Sequence, residues 1–182
     1  MKALKLMSLV ITLTTVGFIS GCSDSQSKSP DVTDSIRRSL DQAGLKDVKV
    51  SQDRDKGVVT LTGAAATDIE KAQAETVAKS IASTQVVSNQ IAVRPPGEES
   101  VAKKIDSDMD KGIEKNLHAE LLKLRLDHSV NYDVKNRVVT LTGNVNSQSQ
   151  RTGVEKAAKN VPNVQQVVNE LGVKNQKATS SR

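Results

Sequence analysis

The feature that most restricts the fold of this chain is an internal repeat. Gly57-Val58-Val59-Thr60-Leu61-Thr62-Gly63 recurs eighty residues on as Arg137-Val138-Val139-Thr140-Leu141-Thr142-Gly143. The same offset pairs Val87, Asn89, Ile91 and Val93 with Val167, Asn169, Leu171 and Val173, Val50 with Val130, and Ala78 with Ala158. Upstream, Ile36 and Leu40 match Ile113 and Leu117, which gives the second copy three extra residues before its first strand. Registered matches across a whole unit mean one supersecondary module built twice. The boundaries read as 31–94 for the first domain, 95–100 for a Pro-Pro-Gly linker and 101–173 for the second domain.

Each copy reads in the same order. Val32, Ile36 and Leu40 recur every fourth residue and predict a helix, with Asp31 or Thr33 available to cap it and Gly44 to end it. Val48 and Val50 alternate into a strand, and Asp53-Arg54-Asp55-Lys56-Gly57 makes a polar hairpin turn. Lys135-Asn136 takes that place in the second copy. After the Val-Val-Thr-Leu-Thr strand come an Ala-rich helix, near 67–82 and 147–160, and a closing strand, Val86 to Val93 or Gln166 to Val173. This order, αββαβ, predicts an α+β fold of two tandem domains, each a three-stranded sheet with two helices packed on one face.

Composition excludes several functions. Phe18 lies in the leader, so Tyr132 is the only aromatic after it, and base-stacking platforms for single-stranded nucleic acid need several. Net charge falls from +5 to +3 once Lys2 and Lys5 leave with the leader. The remaining excess in the second half is matched by Lys174, Lys177 and Arg182 in the tail. The folded parts are near neutral, so no nucleic-acid partner is expected. His118 and His128 have no counterparts in the first copy and no further ligand in pattern, so no metal or other cofactor is expected. Without a nucleophile elbow, a phosphate-cradling Gly loop or an H-E-x-x-H helix, the chain is not expected to be an enzyme.

The segment Val101 to Leu126 has binding potential. Val101, Ile105, Met109, Ile113, Leu117 and Leu121 form a stripe at four-residue spacing that is most simply core. Leu122, Leu124 and Leu126 fall outside it, flanked by Lys123 and Arg125. Such leucines suit a membrane interface, or burial between the two domains. Asp106, Asp108, Asp110, Glu114 and Glu120 on the same segment count against an electrostatic contact.

The Gly/Arg-Val-Val-Thr-Leu-Thr-Gly strand, the Ala-rich helix and the closing Val-x-Asn-x-(Ile/Leu)-x-Val resemble the BON domain. The first copy departs at Ser83-Thr84-Gln85, where the family often has Gly-Val, partly kept as Asn163-Val164 in the second. The resemblance implies phospholipid binding, with the second domain's first helix as the contact for anionic membrane lipid. It is carried onto Lys115, Leu121, Leu122, Lys123, Leu124 and Arg125. An envelope protein partner, held by sheet edges or the leucine-rich stretch of an adaptor or chaperone, is the alternative.

The N-terminus adds an address. Lys2 and Lys5 precede an uncharged apolar run, Leu6 to Ile19, too short to span a bilayer comfortably and laid out as a secretory signal over 1–21. Ile19-Ser20-Gly21-Cys22 resembles the lipobox of bacterial lipoproteins, which implies acylation (palmitate among the chains) at Cys22, the only cysteine. Two or more acyl chains give lasting attachment, and 22–30 reads as a polar tether. In that family's sorting pattern Ser23 after Cys22 favours the outer membrane. The chain is therefore expected to be lipid-anchored there, facing the periplasm, with a role in membrane integrity under osmotic stress. The tail, 174–182, lacks apolar periodicity and is expected to be disordered.

Overall fold

The computed structural model describes residues 28–174; the signal segment, Cys22, most of the tether and nearly all of the tail lie outside the described residues. The first repeat runs α1 (Thr33–Gln42), β1 (Val48–Asp53), β2 (Val58–Ala65), α2 (Asp68–Ala82), β3 (Val86–Asn89) and β4 (Ala92–Val93). The second runs α3 (Glu99–Lys123), β5 (Val130–Lys135), β6 (Val138–Val145), α4 (Gln148–Lys159), β7 (Gln166–Asn169) and β8 (Gly172–Val173). The α+β class and the paired sheets are as the repeat predicts.

In each sheet the Val-Val-Thr-Leu-Thr strand is central. β1 and β5 pair with it antiparallel, β3 and β7 parallel after a helical crossover. The closing strand is a single strand in register but broken in the middle. Leu61 faces Asn89 and Ala64 faces Ala92, and Leu141 faces Asn169 as Asn144 faces Gly172. The Asn side chain causes the break. Asn89 Oδ1 accepts from the Ile91 amide at 3.3 Å, while its Nδ2 donates to the Lys71 carbonyl and the Glu75 carboxylate. Asn169 repeats all three bonds with Leu171, Arg151 and Glu155. One side chain thus supplies the backbone partner lost at the break and fastens the crossover helix to the sheet.

Strand alternation divides the Val-Val pair between two faces. Val59 and Leu61 point at α1 and α2, in a core with Ile36, Leu40, Ala74, Ala78 and Ile91. Val139 and Leu141 do the same with Ile113, Leu117, Leu121, Val154 and Ala158. Val58, Val138 and the adjacent Val168 face the other way and form a small cluster between the repeats. Gly63 and Gly143 end the central run with φ of +104° and +109°, where a Cβ would collide with the backbone carbonyl of Asp47 or Ser129.

The hydrogen bonds re-register the repeat. Leu45 N donates to Leu40 O, and Leu126 N to Leu121 O. Gly44 and Arg125 occupy the same left-handed position after their helices, with φ of +81° and +57°. Leu121 is therefore the counterpart of Leu40, and Leu117 that of Ile36. The sequence alignment to Ile113 and Leu117 is one helical turn early. Val130 pairs with Gly143 as Val48 pairs with Gly63, so Val130 answers Val48 and not Val50. The second hairpin turns on Asn136 and Arg137, both at positive φ as a two-residue turn requires. At the turn after α2, Ser83 has positive φ just as Asn163 has after α4, so the departure from the family pattern leaves that feature in place.

The domains touch. Gln166 reaches the outer edge of β3: its Oε1 accepts from Asn89 N at 2.9 Å and its Nε2 donates to Val87 O at 2.7 Å. Asn136 Nδ2 donates to Gln90 O, and Lys56 pairs with Glu170 at 2.5 Å. Arg94, at the end of the first domain, pairs with Asp106 of α3 at 2.5 Å, both side chains largely buried.

Candidate functional site

The counterpart of α1 within α3 is its last ten residues, so α3 carries about four turns with no equivalent in the first copy. That extension lies beside β4 and the second hairpin. Besides the Arg94–Asp106 pair, Asp110 accepts the backbone amides of Asn136 and Arg137 at 2.9 and 2.8 Å. These two acids hold the extension to the body.

At 100° per residue, the side chains of α3 separate into two faces. Ile113, Leu117 and Leu121 are buried, with Asp106, Met109, Asp110 and Glu120 beside them half-buried. Val101, Lys104, Ile105, Asp108, Lys111, Lys115, Leu122 and Lys123 fall on the opposite face, and all are exposed. Three aliphatic side chains there are open to solvent, Val101 at 59 %, Ile105 at 50 % and Leu122 at 49 %. Four lysines accompany them and one acid, Asp108. Glu114 sits on the flank, where its carbonyl lies 3.5 Å from the Tyr132 hydroxyl, and Glu120 pairs with Lys123 at 2.6 Å.

This arrangement changes the sequence-derived set in three ways. Leu121 is fully buried in the second core and cannot meet a ligand, because it fills the place that Leu40 fills in the first copy. Val101 and Ile105, read as core from their spacing, are exposed, because each four-residue step drifts about 40° around the helix and carries them from the Ile113 side to the outer face. Leu122 and Leu124 are exposed rather than buried between the domains, whereas Leu126 packs in the core of its own domain. Lys115, Leu122, Lys123, Leu124 and Arg125 are all exposed, and the first three share the outer face of α3. Lys104 and Lys111 were missed, although a count at 100° per residue finds them.

Asp41-Gln42-Ala43-Gly44 of the first copy is replaced by Leu122-Lys123-Leu124-Arg125, and the arginine keeps the left-handed backbone of the glycine it replaces. For a non-Gly residue this costs about 1 kcal/mol. Its exposed side chain makes no hydrogen bond among the described residues.

Hydrogen bonds from Lys159 and then Asn169 hold the Glu155 carboxyl below its ordinary range. For Glu75, burial works against ionisation, yet donation from Lys79 and Asn89 outweighs it and the carboxyl again lies low. Among the described residues no group of three or more His, Cys, Asp or Glu is placed to hold a metal ion. His118 is exposed, and His128 lies against Asp127 at 3.2 Å.

The duplicated sheet, the Asn staple and the α3 face can be set against known proteins. The BON domain family model matches residues 28–95 and again 109–175. The chain belongs to the BON domain family. BON domains are associated with phospholipid binding and occur in envelope stress proteins. No curated protein matches the chain significantly. Two solved structures of CdsD, described as a structural protein of the type III secretion system of Chlamydia trachomatis, are similar to it. The first is 13 % identical, over 80 % of this chain and 93 % of that one, with a TM-score of 0.34. The other, a C-terminal domain, is 12 % identical over 78 % and 66 %, with a TM-score of 0.32. Likeness at this level says nothing of what the present BON protein binds.

Proposed function

We propose that this BON protein is a non-enzymatic envelope lipoprotein that lays the outer face of α3 on an anionic phospholipid surface. The observation that carries the reading is the segregation on α3, where Lys104, Lys111, Lys115 and Lys123 share a face with Val101, Ile105 and Leu122 against the single acid Asp108. Each net surface cation contributes about 1 kcal/mol near an anionic leaflet. Each half-exposed aliphatic side chain contributes about 1 kcal/mol on entering the acyl boundary. With Lys123 paired to Glu120 and Asp108 offsetting one more lysine, two net cations and three aliphatic side chains give about 5 kcal/mol, comparable with the reversible attachment of a single myristoyl chain. Acyl chains on Cys22 supply the lasting attachment, and α3 then engages lipid at a high effective concentration. The lipobox resemblance and Ser23 support an outer-membrane address facing the periplasm. The two-domain layout resembles that of dual-BON outer-membrane lipoproteins, which supports a part in membrane integrity under osmotic stress.

The test is vesicle flotation of the chain carrying Cys22→Ser, so that lipid contact cannot come from the anchor. The expected result is binding to phosphatidylcholine vesicles containing phosphatidylglycerol, weakened by salt and absent on phosphatidylcholine alone. The double variant Lys111→Glu, Lys115→Glu should lose it. Failure to bind anionic vesicles, or binding indifferent to that double variant, removes the proposal and leaves a protein partner as the better reading. Intact mass of the mature protein checks acylation of Cys22 directly.

A further inference from the structure

The chain ahead of α1 is fastened to the first domain. Ser29 N donates to the Arg54 carbonyl at 2.9 Å, and Arg54 Nε returns a bond to the Ser29 carbonyl at 2.8 Å. Gln52 Nε2 donates to the Pro30 carbonyl at 2.7 Å, while its Oε1 accepts from Val32 N at 3.1 Å. Gln85 Nε2 reaches the same Pro30 carbonyl at 3.2 Å, and Lys28 pairs with Asp55 at 3.2 Å. By composition Lys28 to Pro30 continue the polar stretch after Cys22; by their bonds they belong to the fold. The family match also begins at Lys28.

The second copy carries the same device in another form. With Leu121 answering Leu40, Asp110 answers Ser29 and Ile113 answers Val32. Asp110 grips the second hairpin through the amides of Asn136 and Arg137, as the Ser29 backbone grips Arg54 in the first. In both copies, then, the residues just ahead of the shared helix hold the hairpin that joins the first two strands. The means differ because the second copy enters its helix from the α3 extension and the first from a non-helical segment. Gln52 marks the change. It pairs with Val59 as Val134 pairs with Val139, but Val134 is buried in its core whereas Gln52 spends both ends of its amide on the arriving chain.

This fastening limits where a membrane anchor can stand. Six peptide steps separate Cys22 from Lys28, a reach of about 20 Å at full extension. A tether free as far as Thr33 has about 40 Å. The fastened end is that of the hairpin, Asp53 to Gly57; Val48 and Gly63 face each other at the far end of the same strand pair. The exposed charges at the hairpin end nearly balance, Lys28, Arg54 and Lys56 against Asp53 and Asp55, and Lys56 is paired with Glu170 of the second domain. This end therefore has little attraction of its own for an anionic leaflet, and its placement is mechanical.

We propose that residues 28–32 are a strap that carries the position of an acylated Cys22 into the fold, setting the hairpin end of the first domain against the phospholipid leaflet. The role rests on Cys22 being the anchor and is independent of lipid contact through α3. The strap halves the reach of the tether and selects which end of the domain faces lipid.

The test uses the mature chain, Cys22 to Arg182, coupled through its only thiol to a maleimide lipid in phosphatidylcholine nanodiscs that carry a nitroxide on some headgroups. A zwitterionic leaflet gives the lysines of α3 no anionic surface. Amide line broadening is compared at Arg54 to Gly57 and at Gly44 and Gly63, at the other end of the domain. The expected result is broadening several-fold greater at the hairpin. Gln52→Val, which installs the side chain of the second copy, and Ser29→Pro, which removes the donor N–H, should each flatten that difference. Two variants at separate points of the strap keep the test decisive if one disturbs the fold. Equal broadening at both ends in the parent chain, or a difference that both variants leave unchanged, overturns the proposal. Hydrogen exchange of the Ser29 amide in the uncoupled chain reports the strap alone, and intact mass of the mature protein reports the anchor alone. A freely exchanging Ser29 amide overturns the proposal through the strap, and an unmodified Cys22 overturns it through the anchor. Flotation of the Cys22→Ser chain on anionic vesicles should be unaffected by either variant, so a failure of lipid contact through α3 is read separately.

Discussion

Gly44 and Arg125 occupy one structural position in two copies of the same fold, and exchanging them isolates the cost of a left-handed backbone. A Cβ built on Gly44 meets nothing within 4 Å, so Gly44→Arg introduces no collision and its penalty is conformational. That penalty is about 1 kcal/mol. The reverse change, Arg125→Gly, recovers it, less a few tenths for a cation lost beside the C-terminus of α3. The expected gain is about 0.5–1 kcal/mol. In a domain of this size that is a rise of roughly 2–8 °C in Tm for Arg125→Gly, and a fall of similar size for Gly44→Arg. Urea unfolding and thermal melts measure both. Vesicle affinity should move the opposite way in Arg125→Gly, falling about fivefold for one cation removed. A variant gaining stability while losing lipid affinity means the strain is tolerated for binding. If Arg125→Gly is less stable than the parent, or Gly44→Arg is neutral, the conformational argument fails.

Three further outcomes follow from the fold. Asn89→Ala and Asn169→Ala should each cost about 1–3 kcal/mol in urea unfolding, since each leaves the amide of Ile91 or Leu171 without an acceptor and unties the crossover helix from the sheet. Gly63→Ala and Gly143→Ala should abolish the cooperative unfolding transition of their own domain, because the added carbon meets main chain that has nowhere to move. The Glu155 carboxyl is depressed by Lys159 and Asn169, so its contribution to stability is complete above the ordinary value of 4.5 and is lost as pH falls through the lower folded value. Glu155→Gln should therefore flatten the acid limb of a stability-against-pH curve, and an unchanged limb would show that the hydrogen bonds do not hold the charge.

Much of this was legible in the residues. The Val-Val-Thr-Leu-Thr run marked a strand in each copy, but its central place and the burial of Val58 and Val138 on the face away from the helices came only with the strand pairing and the contact between the domains. The position of the Asn in Val-x-Asn-x-(Ile/Leu)-x-Val was visible, but its reach to Lys71 O and Glu75 was not, because that depends on how the crossover helix lies. The register of the first helices was misread for a physical reason. Ile113, Leu117 and Leu121 are spaced alike, so Ile36 and Leu40 fit either pair, and the glycine that would have settled it stands in only one copy. The same ambiguity put Leu121 among the binding residues. Acids on α3 counted against lipid contact when taken as a sum; their segregation to the inner side through Arg94 and the Asn136–Arg137 turn needed the tertiary structure.

The Gln166 side chain completes β3 as a neighbouring strand would, and Val86, at its place in the first copy, has no amide to return the favour. The clasp is one-sided. If the two halves part, the hem of the first sheet is laid bare while the hook that covered it swings free on the second. Another molecule's hook has the chemistry to fit the same hem, so parting of the halves would open an internal fastening to reciprocal exchange between neighbours.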